Sequence, residues 1–435
     1  MKILLSILTF LSLSIYAQSY LISNIPLPKT YIQNLDPYPC DESCLQDFLD
    51  NDMILSFLAH ANNQLDNEEQ DEVRMMSISI LNLGSQVTNK LKIALLLPHK
   101  KIGRYAASTT NASFAYLLAR NQNFELKTYN IESEEFVEIQ RAMLEIQQEG
   151  FNYIIAPFTQ KGANTLISLH PYENIYFPTI NKKDVNTTNT NLYFGGIDYK
   201  AQSDLLLKEA VSPLVIFYDR SPTGKKLACY EEEKFTYKEI LSSDQNATFI
   251  DDEIYEVSKF NAENNTSLVA YDDNRSVVKF LIPRRTTNLE EQLLENEQIK
   301  KGSFFVNTPI VKSSMILSQL TMYDTNATNV LSTQINYDPL ILSLTQYQDR
   351  QSMVIANSIT HNNSIFIETN ALLGNDIVYD WINYTTTVGI DYFFNMITKQ
   401  DRQYEIEVLD NQMQYPIELL QPSKTRFIKY FSASE

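Results

Sequence analysis

The chain has 435 residues, 44% of them hydrophobic, and a formal net charge of −18 from 35 Lys and Arg against 53 Asp and Glu. It is long enough for more than one hydrophobic core and too apolar to be disordered. A negative field over the whole molecule excludes general, charge-driven nucleic-acid binding.

Residues 1–17 have the pattern of a signal peptide: Lys2, the apolar run Ile3–Ile15, and Ala17 as the small residue at the cut. The mature chain is then expected to be an exported protein of residues 18–435, soluble in a bacterial periplasm. No later apolar run reaches the length of a membrane span, so stable membrane insertion is not expected. Residues 18–88 read as an extended lead-in with prolines (Pro26, Pro28, Pro37) and a helical segment. Leu45, Phe48, Leu49 and Met53 give that segment a helical stripe. In an exported chain Cys40 and Cys44 are expected to form a small local disulfide. No further ligands are spaced around them for a metal. Cys229, in a helical pattern, reads as a buried small hydrophobe.

From residue 89 the chain alternates short apolar runs with helical stretches, the signature of a parallel α/β sheet. Leu91–Leu97, Phe124–Tyr129, Phe151–Pro157, Ile175–Ile180 and Asn191–Ile197 are the expected strands of a first lobe, residues 89–210. The helix after the first strand is expected to turn Ala107, Phe114, Leu117 and Leu118 toward the sheet. Phe136, Ile139, Met143 and Ile146 mark an amphipathic helix ended by Gly150. Residues 211–435 read as a second lobe, with strands and helices returning to the first. It opens with Pro213–Tyr218 and a helix from Thr223 to about Phe235. Further helices are expected over Asn288–Ile299, Val311–Leu320 and Asp376–Met396. Strands are expected over Thr248–Val257, Ser267–Tyr271, Ser303–Val306, Asn329–Gln334, Met353–Ile359 and Ser364–Glu368.

The chemistry-bearing motifs are absent. There is no Gly-x-Ser-x-Gly, no P-loop, no Gly-x-Gly-x-x-Gly after a strand and no His-Glu-x-x-His. The sequence therefore predicts no enzyme, no catalytic residue, no metal site and no cofactor. Of the four His, His99 stands just past the first strand, where open α/β sheets place ligands.

Four stretches, in this order and spacing, resemble a known superfamily. Lys92–Pro98 with Gly103-Arg104-Tyr105-Ala106 resembles its opening strand and helix. Ile154-Ile155-Ala156-Pro157-Phe158-Thr159 resembles a second strand. Asn191–Gly195 resembles the strand before the crossing, and Leu214–Phe217 with Gly224 the start of the second lobe. The superfamily is that of the type I periplasmic binding proteins, and within it the pattern is most similar to the C-terminal domain of the penicillin-binding-protein activator LpoA. The resemblance implies two α/β lobes with ligand-facing loops at His99–Tyr105, Thr159–Gly162, Asn181–Lys183 and Arg220–Thr223. It points to His99, Thr109, Thr159, Gln160, Asn181 and Arg220 as ligand-binding candidates. Ile102 stands where many relatives carry a serine after the strand's proline. Two functions follow as expectations. One is a non-enzymatic periplasmic interaction module, accessory to cell-envelope machinery through a cell-envelope protein partner. The alternative is a periplasmic solute receptor for a small polar ligand.

Overall fold

The structure is a computed structural model, and it describes residues 32, 40–61, 65–80, 91–120, 122–240, 268–272, 274–285, 288–360 and 362–431. The expected signal peptide and the expected strand Thr248–Val257 lie outside the described residues.

In chain order the helices of five or more residues are α1 (Glu42–Asp50), α2 (Ile54–His60), α3 (Glu68–Ile80), α4 (Arg104–Ala119), α5 (Phe136–Gln148), α6 (Gln160–Ser168), α7 (Tyr199–Leu207), α8 (Pro222–Thr236), α9 (Ile310–Met322), α10 (Leu340–Leu344), α11 (Ser364–Leu372) and α12 (Trp381–Thr398). The strands begin with β1 (Leu91–Pro98), β2 (Phe124–Ile131), β3 (Tyr153–Ile155), β4 (Asn174–Phe177) and β5 (Leu192–Phe194). They continue with β6 (Leu214–Tyr218), β7 (Tyr237–Ile240), β8 (Leu268–Tyr271), β9 (Val277–Leu281), β10 (Ser303–Asn307), β11 (Asn329–Ser332) and β12 (Met353–Asn357). The last are β13 (Glu407–Leu409), β14 (Gln412–Gln414), β15 (Glu418–Pro422) and β16 (Phe427–Lys429).

The chain divides into two compact units, residues 1–196 with 361–414 and residues 197–360 with 415–435. The sequence-based boundary at 210 differs from this division. Helix α7 lies on the far side of the break, and its Leu206 packs with Leu214, Ile216 and Val354 in the core of the second unit.

Unit 1 carries a seven-stranded sheet ordered β13-β14-β5-β4-β3-β1-β2. The strands from β2 to β14 run parallel, and β13 pairs antiparallel at the edge. Because successive side chains on a strand point to opposite faces, Ala94 and Leu96 of β1 meet one layer only. That layer holds Ile139, Met143 and Ile146 of α5 with Ala163 and Leu166 of α6.

Helices α4, α11 and α12 form another layer of unit 1. There Tyr116 of α4 stacks on Phe366 of α11 and meets Phe394 of α12 edge-on. The buried residues of α4 are Thr109, Ala112, Ser113, Ala115, Tyr116 and Leu117, so Leu117 of the expected stripe is covered, while Ala107, Phe114 and Leu118 are exposed. The expected stripe was read for a helix covering a sheet, but α4 is also packed against two other helices. Segment 364–368, expected as a strand, is the start of α11. Asn363 fixes that start by accepting from the Ile365 N–H at 3.0 Å.

The fully buried carboxylate of Asp391 ties α12 to its neighbours. It accepts from the Tyr116 hydroxyl at 2.6 Å and from the backbone N–H groups of Gln403 and Tyr404 at 2.8 and 3.1 Å. Burial, then the Asp391 charge, pushes the Tyr116 phenol far above its usual range. Close approach also explains one glycine of α12. A Cβ at Gly389 would lie 2.0 Å from the ring of Tyr176 on β4, so only glycine lets the helix sit there.

Unit 2 repeats the plan with the order β16-β15-β12-β11-β10-β6-β9. Strands β9, β6, β10, β11 and β12 are parallel, and β15 and β16 close the edge antiparallel. Strand alternation again sorts the core. Val215 and Phe217 pack with Ile316, Leu317 and Leu320 of α9, while Leu214 and Ile216 pack with α7 and α8. A separate two-stranded sheet pairs β7 with β8.

Two expectations for this unit need correction. The helix expected over Asn288–Ile299 is a single turn, Glu290–Leu293. It is followed by Glu295 in the left-handed region at φ 52°, which a continuing helix does not allow. Cys229 is exposed on α8, whose buried face is Gly224, Leu227, Ala228, Glu231 and Phe235.

Ahead of unit 1's sheet, α1 and α2 share a small core of Leu45, Phe57 and Leu58. Asp41 starts α1 by accepting from the Cys44 N–H at 3.0 Å. Cys40 and Cys44 form a disulfide, with Cα atoms 5.4 Å apart. No described helix is long and apolar enough to cross a membrane.

Candidate functional site

Counting strands by their place in each unit, both sheets have the order second, first, third, fourth, fifth: β2-β1-β3-β4-β5 and β9-β6-β10-β11-β12. In such sheets the connections leave the first and third strands toward opposite faces. That opens a crevice at the carboxyl ends of those two strands, where open α/β sheets bind ligands. The site of interest in each unit is therefore the end of β1/β3 or of β6/β10.

In unit 1, helix α6 leaves the end of β3 with its first N–H groups and its positive dipole end facing this crevice. Such a helix start is suited to an anion. The anion there is the chain's own. Glu134, on the loop between β2 and α5, is 4% exposed. Its Oε1 accepts from the Thr159 N–H at 2.7 Å, and its Oε2 accepts from the Thr159 hydroxyl. Thr159 Oγ1 in turn accepts from the Gly162 N–H at 3.4 Å. A Cβ at Gly162 would stand 2.5 Å from the Glu134 carboxyl carbon, so the glycine is what admits the carboxylate.

In unit 2 the helix after β6 is capped locally, by a half-buried acid two residues away. Asp219 Oδ1 accepts from the Ser221 N–H at 3.0 Å and from the Ser221 hydroxyl, and Ser221 Oγ accepts from the Gly224 N–H at 3.0 Å. A Cβ at Gly224 would lie 2.6 Å from that Asp219 oxygen.

Behind this cap, unit 2 buries a set of polar side chains. Glu231 of α8 is fully buried and accepts from Asn307 Nδ2 and, at 3.0 Å, from the Ser203 hydroxyl. Both partners are neutral, and burial holds its carboxyl well above the ordinary value of 4.5. Gln202, Gln334 and Ser358 form a second buried network. Gln202 Nε2 donates to Gln334 Oε1 at 3.1 Å and to Ser358 Oγ at 2.8 Å, and the Gln334 N–H donates back to Gln202 Oε1 at 2.9 Å. Asn307 Oδ1, Thr333 Oγ1 and Asn336 Oδ1, all at or just past strand ends, are buried without a hydrogen-bond partner.

Five of the six sequence-predicted ligand residues belong to unit 1, and Arg220 belongs to unit 2. Thr159 and Gln160 meet at the start of α6, where Gln160 Nε2 donates to the Asp184 carbonyl at 2.5 Å. Asn181 is close by in the fold, but its amide is engaged on both sides. Nδ2 donates to the Gly196 carbonyl at 3.1 Å, and Oδ1 accepts from the Lys183 N–H at 3.1 Å. Thr109 is buried in α4 and its hydroxyl oxygen has no partner. His99 is exposed on the one-turn helix His99–Ile102. Arg220 is exposed in unit 2, between the capping pair Asp219 and Ser221.

Sequence reasoning missed Glu134 and Glu231. Glu134 carries a faint signal, an acid between a strand and a helix. Glu231 carries none, because it stands first in the run Glu231-Glu232-Glu233 and only the helix phase separates it from its two partly exposed neighbours. Among the described residues, no group of three or more His, Cys, Asp or Glu is placed to hold a metal ion.

No protein-family model matches the chain, and no curated protein matches its sequence. Solved structures do share its fold. One is a putative branched-chain amino acid ABC transporter from Rhodospirillum rubrum, 8% identical over 78% of this chain and 100% of that one, with a TM-score of 0.55. Another is the leucine binding protein LivK from Thermotoga maritima, 11% identical over 78% of this chain and 98% of that one, TM-score 0.50. A third is the C-domain of LpoA from Haemophilus influenzae, described as a regulator of PBP1A. It is 8% identical over 78% of this chain and 100% of that one, TM-score 0.48. Identities this low carry the fold alone, and the LpoA superposition carries no argument of its own. The chain is similar in fold to the type I periplasmic-binding-protein-like proteins.

Proposed function

We propose that this protein is a non-enzymatic interaction module, exported to the periplasm and accessory to cell-envelope machinery, in which the solute-receptor fold is kept as a scaffold. The observation that carries the reading is Glu134. A helix start at a topological switch point is an anion cradle, and a free amino acid would need it for its carboxylate. Here the Thr159 N–H and hydroxyl are spent on a buried side chain of the same unit. A solute would have to expel that carboxylate, at the cost of leaving it unpaired. In unit 2 Asp219 and Ser221 supply a local cap to the start of α8. Ile102 adds to the case, because it offers no hydroxyl after β1.

A second reading has one observation in its favour. The unpartnered oxygens of Asn307, Thr333 and Asn336 would suit a small ligand rich in hydrogen-bond donors. Titration calorimetry of the full chain against leucine, isoleucine and small peptidoglycan fragments separates the two. The module reading expects no saturable heat. Micromolar binding that is lost in Thr159→Ala makes the protein a receptor.

A further inference from the structure

The triplet Asn-x-Ser/Thr, with no proline in the middle, is the acceptor sequence for N-linked glycans on exported chains. It occurs nine times in this sequence. Asn246, Asn264 and Asn265 lie outside the described residues. A chain rich in Asn, Ser and Thr produces such triplets by chance, and chance triplets ignore both burial and the residues around them. The six described ones divide on both.

Asn111, Asn362 and Asn383 are covered. Asn362 and Asn383 are 4% and 2% exposed, and Asn111 is half-buried on α4. The side-chain amide nitrogen, the atom a glycan would join, is already committed in each. It donates to the Leu373 carbonyl at 3.3 Å from Asn111, to the Ile377 carbonyl at 3.2 Å from Asn362 and to the Asp376 carbonyl at 2.9 Å from Asn383.

Asn186, Asn274 and Asn326 are exposed, and so are the hydroxyl residues two positions on, Thr188, Ser276 and Thr328. Each asparagine stands between elements: Asn186 between β4 and β5, Asn274 between β8 and β9, and Asn326 between α9 and β11. Asn326 has a φ of 52°, a turn conformation that asparagine tolerates. Its Nδ2 makes a local bond, to the Asp324 carbonyl at 3.2 Å.

The same division runs through the sequence. Asp184, Asp272 and Asp324 stand two residues before the three exposed asparagines, whereas Thr109, Thr360 and Trp381 stand there before the three covered ones. Acids fill 53 of the 435 positions, so composition does not give three in three. Turn chemistry accounts for Asp272, whose carboxylate accepts from the Asn274 N–H at 3.1 Å and meets Arg275 Nε at 3.4 Å. It does not account for Asp324, which serves its turn through a backbone carbonyl that any residue would supply. A carboxylate at one fixed offset from every exposed acceptor, and from no covered one, belongs to the acceptor sequence.

Resting on the reading of this chain as exported, we propose that Asn186, Asn274 and Asn326 are N-glycosylated by an oligosaccharyltransferase of the bacterial envelope, which reads the carboxylate two residues before the asparagine together with the hydroxyl two residues after it. The donor is a glycan joined through its anomeric carbon to a polyprenyl diphosphate. Asparagine Nδ2 forms a bond to the anomeric carbon, and the bond from that carbon to the diphosphate oxygen breaks. The polyprenyl diphosphate leaves with the electron pair, and one amide proton passes to a base of the transferase. Asn274 should carry the least glycan, because its acid is engaged by the turn and by Arg275.

The test expresses the full chain in a bacterial host that supplies a lipid-diphosphate-linked glycan and a bacterial oligosaccharyltransferase, and in the same host without the transferase. Glycopeptide mass spectrometry reads each site. Glycan is expected at Asn186, at Asn326 and more sparsely at Asn274, and at none of Asn111, Asn362 and Asn383. Asp184→Ala and Asp324→Ala should each cut the glycan at their own site about tenfold or more, as the loss of one partner of a charge pair does. Asp184→Glu and Asp324→Glu should keep it, which separates the charge from the fold. Bare Asn186 and Asn326, glycan on the covered asparagines, or undiminished glycan in the Ala variants overturns the proposal. A second version carries a foreign cleavable signal peptide ahead of the full chain, so that it meets the transferase whatever its own N-terminus does. Glycan on that version alone refutes export by the chain's own leader and supports the acceptor sites, while glycan on neither refutes the sites.

Discussion

The two units share a strand order, but the acids Glu134 and Asp391 of unit 1 and Glu231 of unit 2 are held by different kinds of partner. In unit 1 Glu134 is met by the backbone and hydroxyl of Thr159, and Asp391 by a tyrosine hydroxyl, two backbone N–H groups and the Arg402 guanidinium at 3.6 Å, while Glu173 is buried with neither oxygen hydrogen-bonded among the described residues. In unit 2 Glu231 has two neutral partners and no charge beside it, and burial keeps it protonated past its usual range. The same architecture thus holds donor-met acids at Glu134 and Asp391 in one unit and an under-satisfied polar centre around Glu231 and Asn307 in the other. If unit 2 retains capacity for change, it is at Glu231 and Asn307 rather than at a capped helix start.

The largest effect should come from breaking the Asp391 centre of unit 1. Asp391→Ala strands the Tyr116 hydroxyl and the N–H groups of Gln403 and Tyr404. It should cost about 3–5 kcal/mol, the usual loss when a buried charge network loses its hub. Urea denaturation followed by tryptophan fluorescence reads it, because Trp381 begins the helix that carries Asp391. A loss below about 1 kcal/mol would mean that the centre is not what holds α12.

Crowding out the caps should cost less. Gly162→Ala places a methyl group 2.5 Å from the Glu134 carboxyl carbon and should destabilise unit 1 by about 1–3 kcal/mol. Gly224→Ala meets the Asp219 side chain and also the backbone carbonyl of Asn307 at 3.1 Å, so it should cost as much or more. A side chain swings aside more easily than a backbone carbonyl. Thermal melts of the two variants rank them.

The smallest effect distinguishes the units by pH. Below about pH 4.5 Glu231 is protonated in both the folded and the unfolded chain and contributes no pH dependence. Above that, the unfolded chain releases the proton while the folded one keeps it. Stability therefore falls as pH rises, until the folded carboxyl itself ionises. Glu231→Gln removes this slope, so the variant should gain on the wild type as the pH is raised from 5 toward 8. Parallel urea titrations across that range check it, and a variant that loses ground with rising pH contradicts the assignment.

How much of this was legible in the sequence depended on periodicity. The runs 91–97, 213–218 and 303–306 are apolar because both faces of their strands are covered, and their bounds lie within one residue of those of β1, β6 and β10. The helix over α5 announced itself by Phe136, Ile139, Met143 and Ile146, of which all but Phe136 are buried. Segments whose conformation is fixed by tertiary contacts were less readable. The run Ser364–Glu368 is β-like in composition and helical in fact, because α4 and the Asn363 cap decide it. The candidate site was the least legible. Thr159 was visible from its place after a strand, but its partner Glu134 is 25 residues earlier in the chain, and no local pattern joins them.

The central claim is that unit 1's anion cradle is occupied by the protein itself. The most direct measurement is chemical rescue. Glu134→Ala should lower the melting temperature and empty the cradle, and added acetate should then restore the melting temperature saturably. Acetate at the same ionic strength as a chloride control should leave the wild type unchanged. If acetate, or leucine, raises the wild-type melting temperature as much as that of Glu134→Ala, the cradle is open to solutes and the account of a self-occupied site is wrong.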